Sequence, residues 1–410
     1  MPKKLLIVCD IFPPAFAPRI GFLCKLLSED YEITVITETT DEKENKWPIN
    51  IDRQNLIVHK IPLRHNEQGA MSRFFDYQSI YWSKITNSRD KKLYKKALGL
   101  IGDAKFDVVL CASYYTFPLL CGKMLAAHFN APLCVDLRDI VEQYAKPCGI
   151  NRLLFPFKLR WLSTKHRNRI LREADATVTI SPWHKTILQQ YCSNTHLIYN
   201  GYDSELFYPK DVATDKFRIV YTGRSFDRQL RDPHLLFAAI DYLAQNRKDL
   251  YNLLELNFYT DVKSQNELRV FIRNYKSVEN VLTISPLVRM DMVCELLHGS
   301  SIVLVLSNKT TDAGPHGIMT TKFFEALGCE KPVLCVRSDE DCLAKVIDEC
   351  NAGVAARNVE ETVKFIEDKY DEWRKNGFTH QCVNQEVKAR FSRQNEALQF
   401  ASVLDSLIRK

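Results

Sequence analysis

Between Gly314 and Leu334 the chain gathers residue types suited to holding a phosphate group. Gly314-Pro315-His316-Gly317 excludes regular structure, and Thr321-Lys322-Phe323-Phe324-Glu325-Ala326-Leu327-Gly328 then has the spacing of a short helix. Thr320 or Thr321 can cap its start, and Gly328 suits its end. Such a helix directs unpaired amides and the positive end of its dipole back at the loop, where an anion is favoured. Glu325 lies one turn in among apolar neighbours, where a carboxylate requires a partner. An exposed glutamate on a surface helix fits the same letters. Lys331-Pro332-Val333-Leu334 follows as the entry to a buried strand.

Asp136, Arg138 and Asp139 form a second candidate group. They close the apolar run Pro132–Asp136, and in open parallel sheets ligands sit beyond the carboxyl ends of strands. Asp139 serves equally well as a helix cap or as a partner for Arg138.

Several chemistries are absent from the sequence. No G-x-G-x-x-G follows a first strand, which disfavours nicotinamide and flavin cofactors, and no Gly-Lys-Ser/Thr loop supports an ATPase. No histidine and cysteine cluster has metal-ligand spacing, so no metal is expected. No paired-carboxylate site of the hydrolytic kind is evident.

Positioning these groups requires a large scaffold. At 410 residues the chain exceeds one ordinary core, and two domains are expected. The net charge of +6 is too mild to argue for nucleic acid. The 13 cysteines are an odd number without a C-x-x-C pair; many sit in apolar runs, which fits a reducing cytoplasm better than a disulfide framework. No apolar stretch reaches the ~20 residues of a membrane span.

Continuous apolar runs predict strands at 4–9, 33–37, 56–61, 107–112, 132–136, 176–180 and 196–199, then at 218–221, 254–259, 281–284, 302–306, 333–336 and 353–355. Helical spacing fills the intervals, including 19–27, 116–128, 151–173 and 182–191. The polar run Lys210–Lys216 reads as a linker. The pattern predicts two successive doubly wound parallel α/β units. The tract Asn384–Lys410 has helical spacing and either completes the second unit or crosses back to the first.

Several segments, in this order, resemble family 4 retaining glycosyltransferases, and within them the branch that builds bacterial surface polysaccharides. They are Phe12-Pro13-Pro14, Val135-Asp136-Leu137-Arg138-Asp139, Glu173–Ser181, Asn200-Gly201-Tyr202-Asp203 with Phe207 and Pro209, Tyr221-Thr222-Gly223-Arg224, and the Lys322–Val333 stretch. The resemblance implies the GT-B architecture, two Rossmann-like domains facing across a cleft: 1–209 on the acceptor side, 210–383 binding the donor, and 384–410 returning toward the first. It implies transfer of a sugar from a nucleoside-diphosphate sugar to a glycan or lipid-linked acceptor, with retention and without a required metal. A sugar-nucleotide epimerase and a non-catalytic binding partner on the same fold are the alternatives.

By position, Glu325 is similar to the glutamate that accepts hydrogen bonds from the donor ribose, and Arg224 to the pyrophosphate-binding arginine. Its partner base matches Arg231 best, with Arg228 as a competitor. Thr320, Thr321 and Lys322 belong to the same donor-binding stretch. Where the family often has a first glutamate, this chain has Gly317, so backbone amides with His316 or Asp312 would have to serve. The loop Pro13–Gly21 resembles the donor-contacting loop, but Ala17-Pro18-Arg19 replaces its usual Gly-Gly; Arg19 then either approaches a phosphate or is a surface residue at a helix start. Asp136, Arg138 and Asp139 are the catalytic candidates.

The tract Arg152–Arg172 is basic, with Lys158, Arg160, Lys165, Arg167 and Arg169 interleaved with Phe155, Phe157, Trp161 and Leu162. It reads either as a peripheral contact with an anionic leaflet or as a crossover helix with a solvated basic face.

Overall fold

The computed structural model describes residues 2–39, 51, 53–63, 86–113, 116–143, 156–223, 231–307, 317–336 and 341–409. Contacts divide it into two units, 1–199 with 396–410, and 200–395.

The first unit is a seven-stranded parallel sheet in the order β3-β2-β1-β4-β5-β6-β7. Its strands are β1 (Lys3–Cys9), β2 (Tyr31–Glu38), β3 (Leu56–Ile61), β4 (Val108–Ser113), β5 (Leu133–Leu137), β6 (Ala176–Thr179) and β7 (Thr195–Leu197). Side chains alternate across each strand. Leu5, Ile7 and Cys9 of β1 therefore enter one apolar cluster, while Leu6 and Val8 enter another on the opposite face. Both faces are covered, which is why the strands read as unbroken apolar runs. The first face is covered by α1 (Pro18–Leu27) and by Ala397, Phe400, Val403, Leu404 and Leu407 of the last helix. The other is covered by α2 (Ser88–Ile101), α3 (Leu119–Phe129), α4 (Pro156–Leu171) and α5 (Pro182–Leu188).

The second unit is a six-stranded parallel sheet in the order β10-β9-β8-β11-β12-β13. Its strands are β8 (Phe217–Thr222), β9 (Leu254–Thr260), β10 (Leu282–Pro286), β11 (Ile302–Leu306), β12 (Val333–Val336) and β13 (Gly353–Ala356). Its principal helices are α6 (His234–Asn246), α7 (Val262–Phe271), α8 (Met290–His298), α9 (Thr321–Gly328), α10 (Asp341–Glu349) and α11 (Val359–Asn376).

Three boundaries depart from expectation for physical reasons. The helix expected from residue 116 begins only after Pro118, since Phe117, as the residue before a proline, is disfavoured in the helical region. The division between units falls at 199/200 rather than after Pro209. Tyr202 and Phe207 pack on Gly328 of the second unit, and a Cβ at Gly328 would lie 2.8 Å and 2.9 Å from their atoms. The C-terminal tract is split: Gln385–Ala389 is a short helix in the second unit, and α12 (Arg393–Ile408) follows a break. At that break the Tyr202 amide donates to the Phe391 carbonyl over 2.9 Å.

A buried ion cluster ties the first unit together. Asp136 has the same strand parity as Cys134, so it points into the face beneath α1 and α12. Arg19 of α1 meets it there, with Nε 3.0 Å from Oδ2 and Nη2 3.1 Å from Oδ1. Nη1 of Arg19 donates to Glu396 Oε1 at 2.6 Å, and Nη1 and Nη2 also donate to the Tyr199 and Ile198 carbonyls. Arg19 is 1 % exposed and Asp136 fully buried. Arg19 is thus neither a phosphate-facing loop residue nor a surface residue, and Asp136 is a structural anion rather than a strand-end catalyst. Pro18 is the first residue of α1, where its missing amide hydrogen is harmless.

Removing the guanidinium would leave two buried carboxylates uncompensated. Arg19→Met is therefore expected to destabilise the first unit by about 3–5 kcal/mol, read as a lower midpoint in urea denaturation.

Candidate functional site

In both sheets the strand order reverses once, between β1 and β4 and between β8 and β11. The carboxyl ends at such a reversal form a crevice where ligands sit in this class of fold.

In the second unit, β8 ends at Thr222 and Gly223 follows. Gly223 has φ 145°, a conformation that side-chain-bearing residues rarely adopt. The side chain of Lys322, from the first turn of α9, lies across it; a Cβ there would be 1.9 Å from Lys322 Cε and 2.5 Å from Nζ. The ammonium also lies 5.9 Å from the centre of the buried Tyr221 ring. One turn further along α9 is Glu325.

These groups act on one another. Packing around Lys322 and the positive charge of Arg231 lower its pKa to about 8, against the opposing pull of Glu325. Burial raises the Glu325 carboxyl, while Lys322 and Arg393 lower it. Arg231 also acts on the Tyr221 hydroxyl, whose pKa is raised chiefly by burial. The structure thus brings Arg231, Lys322 and Glu325 together around the end of β8. The two cations there can contact phosphate oxygens, and the carboxylate can accept hydrogen bonds from vicinal hydroxyls.

Thr320 occupies the N-cap position of α9, yet its side chain makes no capping hydrogen bond, and the helix starts at Thr321. Gly317 is buried with φ 66°. Gly328 is the last helical residue. Arg224, Arg228, His316 and Asp312 lie outside the described residues.

In the first unit the charged groups gather beyond β1, β2 and β5. Arg138 Nη2 is 3.6 Å from Oδ1 of Asp10, the residue that follows β1. Asp139 pairs with neither Arg138 nor a helix start; it accepts a hydrogen bond from Gln143 Nε2. Burial raises the carboxyls of both Asp10 and Asp139, each opposed by Arg138. Arg89 of α2 donates to the buried Glu38 at the end of β2 and lies over the Phe117 ring at 3.9 Å. Asp10, Glu38 and Arg89 were not among the sequence candidates. Asp10 was legible, since it directly follows a buried strand; Arg89 was not, because it lies in a polar stretch without a motif.

The basic tract divides. Arg167 is fully buried and forms two bonds of 2.7 Å with Glu142, so it contributes nothing to a basic surface. Lys165, Arg169, Arg172 and Trp161 are exposed.

Both units and their topology match solved proteins over the whole chain. Sucrose-phosphate synthase from Thermosynechococcus elongatus superimposes with a TM-score of 0.69 at 15% identity, covering 99% of each chain. HepE from Anabaena, solved with UDP and glucose, gives 0.64 at 15% identity over 99% of this chain and 100% of that one. A glycosyltransferase from Rickettsia africae gives 0.63 at 13% identity, covering 100% and 99%. The fold is GT-B. No protein-family model and no curated protein matches the sequence.

In this GT-B chain Gly223 is required by two separate constraints, its backbone angle and the Lys322 side chain. Gly223→Ala is expected to cost about 1–3 kcal/mol, measured by urea denaturation. Adding Lys322→Ala should recover the steric part of that loss and leave the backbone part.

Proposed function

We propose that the chain is a retaining glycosyltransferase that moves a sugar from a nucleoside-diphosphate sugar to a glycan or lipid-linked acceptor in polysaccharide assembly. One observation carries this reading: Lys322, Arg231 and Glu325 converge at the end of β8, at the strand-order reversal, on a fold shared over its full length with proteins solved with UDP and UDP-glucose.

In this reading Arg231 and Lys322, joined by Arg224, offset the charge that builds on the departing diphosphate, so the reaction requires no divalent metal. Glu325 accepts from the ribose hydroxyls. The amides at the start of α9, with Thr320, Thr321 and Gly317, receive phosphate oxygens. The first unit takes the acceptor at Asp10, Arg138 and Asp139. Arg138 Nε and Asp10 Oδ1 are buried there without a hydrogen-bond partner, ready for a hydroxylated ligand. The protein contributes orientation and electrostatics, and the leaving phosphate assists deprotonation of the acceptor on the same face. The exposed Lys165, Arg169, Arg172 and Trp161 supply a peripheral contact with an anionic leaflet.

UDP should raise the melting temperature of the wild type by mass action, and Arg224→Ala or Glu325→Ala should abolish the shift. A panel of nucleotide sugars should then reveal transfer or slow hydrolysis; failure of every UDP-, GDP- and ADP-sugar to bind would overturn the reading.

Lys322 adds a pH signature. In the free protein its pKa is about 8, and a bound dianion favours the ammonium and raises it. The lysine's contribution to UDP affinity should therefore be constant below about pH 8 and fall up to ~tenfold per pH unit above it. Without ligand the sign is reversed for folding. The unfolded chain holds the lysine proton up to its ordinary value of 10.5, so this group's contribution to stability rises with pH between about 8 and 10.5. Calorimetric titration of the wild type and of Lys322→Arg, which should lack the decline, checks the binding prediction.

A further inference from the structure

Cys294 and His298 lie four residues apart on α8, and so on one face of the helix. Cys329 directly follows α9. Folding brings the three together: their ligand atoms all lie within 4.8 Å of one another. All three are buried, at 4 %, 4 % and 1 % exposure. In a tetrahedral zinc site with bonds of about 2.3 Å to sulfur and 2.0 Å to nitrogen, neighbouring ligand atoms stand roughly 3.5–3.8 Å apart. Cys294 Sγ is 3.9 Å from His298 Nδ1, close to that spacing.

The surroundings match as well. His298 Nε2 lies 2.7 Å from the Tyr208 carbonyl, so one ring nitrogen is oriented by the backbone and Nδ1 is left for a metal. Cys294 Sγ donates to the Leu206 carbonyl at 2.7 Å, through a proton that metal binding would release. The half-exposed Tyr208 ring is centred 5.0 Å from the His298 ring.

We propose that Cys294, His298 and Cys329 bind one closed-shell transition-metal ion of the zinc class as its three protein ligands. Binding replaces two S–H bonds with two sulfur–metal bonds and releases two protons to solvent. The ion joins the end of α8 to the end of α9, the helix that begins with Thr321 and Lys322. Its role is structural, and the proposal stands independently of the transfer reaction.

The full chain, freed of metal with chelator and reductant, is titrated with Zn2+ against a chromophoric chelator and separately with Co2+. The expected result is one ion per chain and a thiolate-to-cobalt charge-transfer band in the near ultraviolet. Cys294→Ser, Cys329→Ser and His298→Gln should each lose the stoichiometric ion. Cys382→Ser, which removes an exposed thiol, should retain it. Zn2+ should also raise the melting temperature of the wild type and not that of Cys329→Ser. The wild-type cobalt spectrum reads sulfur ligation directly, so the test survives if a variant fails to fold. Absence of a chelator-resistant ion, equal binding by Cys294→Ser and the wild type, or a Cys294–Cys329 disulfide in peptide maps of reductant-free protein would each overturn the proposal.

Discussion

Each sheet of this protein is parallel, and its first unit is covered by helices on both faces. That constraint governs where charge can stand. A side chain in the middle of a strand enters an apolar layer whichever way it points, so ionisable groups are displaced to the strand ends unless a partner is built for them. Asp136 shows the rule at a fully buried position. One residue short of the end of β5, it is buried completely and held by two hydrogen bonds from Arg19. The same guanidinium reaches Glu396 of the last helix, so one arginine joins a central strand, the first helix and the C-terminal helix. Such a cluster adds little net energy over an apolar core, but no member can be removed alone without large cost.

Charge displaced from the strands accumulates where the chain leaves them. In the first unit this gathers Asp10, Glu38 and Arg138 from three strand ends, with Arg89 added from a helix. In the second unit the strand end is itself emptied: Gly223 presents bare backbone, and Lys322 fills the space a side chain would take. The result is a lysine crowded by Arg231 and packing, beside a carboxylate whose own ionisation burial opposes. Both groups are shifted toward their neutral forms, the lysine by burial and Arg231 and the carboxyl by burial. Electrostatic groups fixed in advance, at some cost to local stability, are the usual form of such sites.

Helix α9 thus has two differently constructed ends. Its start carries the cationic and backbone groups of the candidate site. Its close is pinned by packing of Tyr202 and Phe207 against Gly328, and next to it stands the Cys294–His298–Cys329 cluster. A short helix is a poor platform by itself, and these contacts fix its far end within the second unit.

The succession of strands was legible because each is a short apolar run, and β3, β11 and β12 fall where the letters place them. The doubly wound arrangement and the α9 stretch were legible for the same reason: periodicity, glycine and proline act locally, and local rules are written in neighbouring residues. Three things were decided only by the tertiary structure. Asp136 belongs to the core and not to a site because strand parity and the packing of α1 and α12 determine what it meets. Asp10 and Arg89 join Arg138 because residues far apart in the chain end at one edge of one sheet. Cys294, His298 and Cys329 share no recognisable ligand spacing, since the step from position 298 to 329 is closed by helix packing rather than by sequence. Chain order specified which elements form; the partner of each charged or thiol side chain was set by which faces those elements bury.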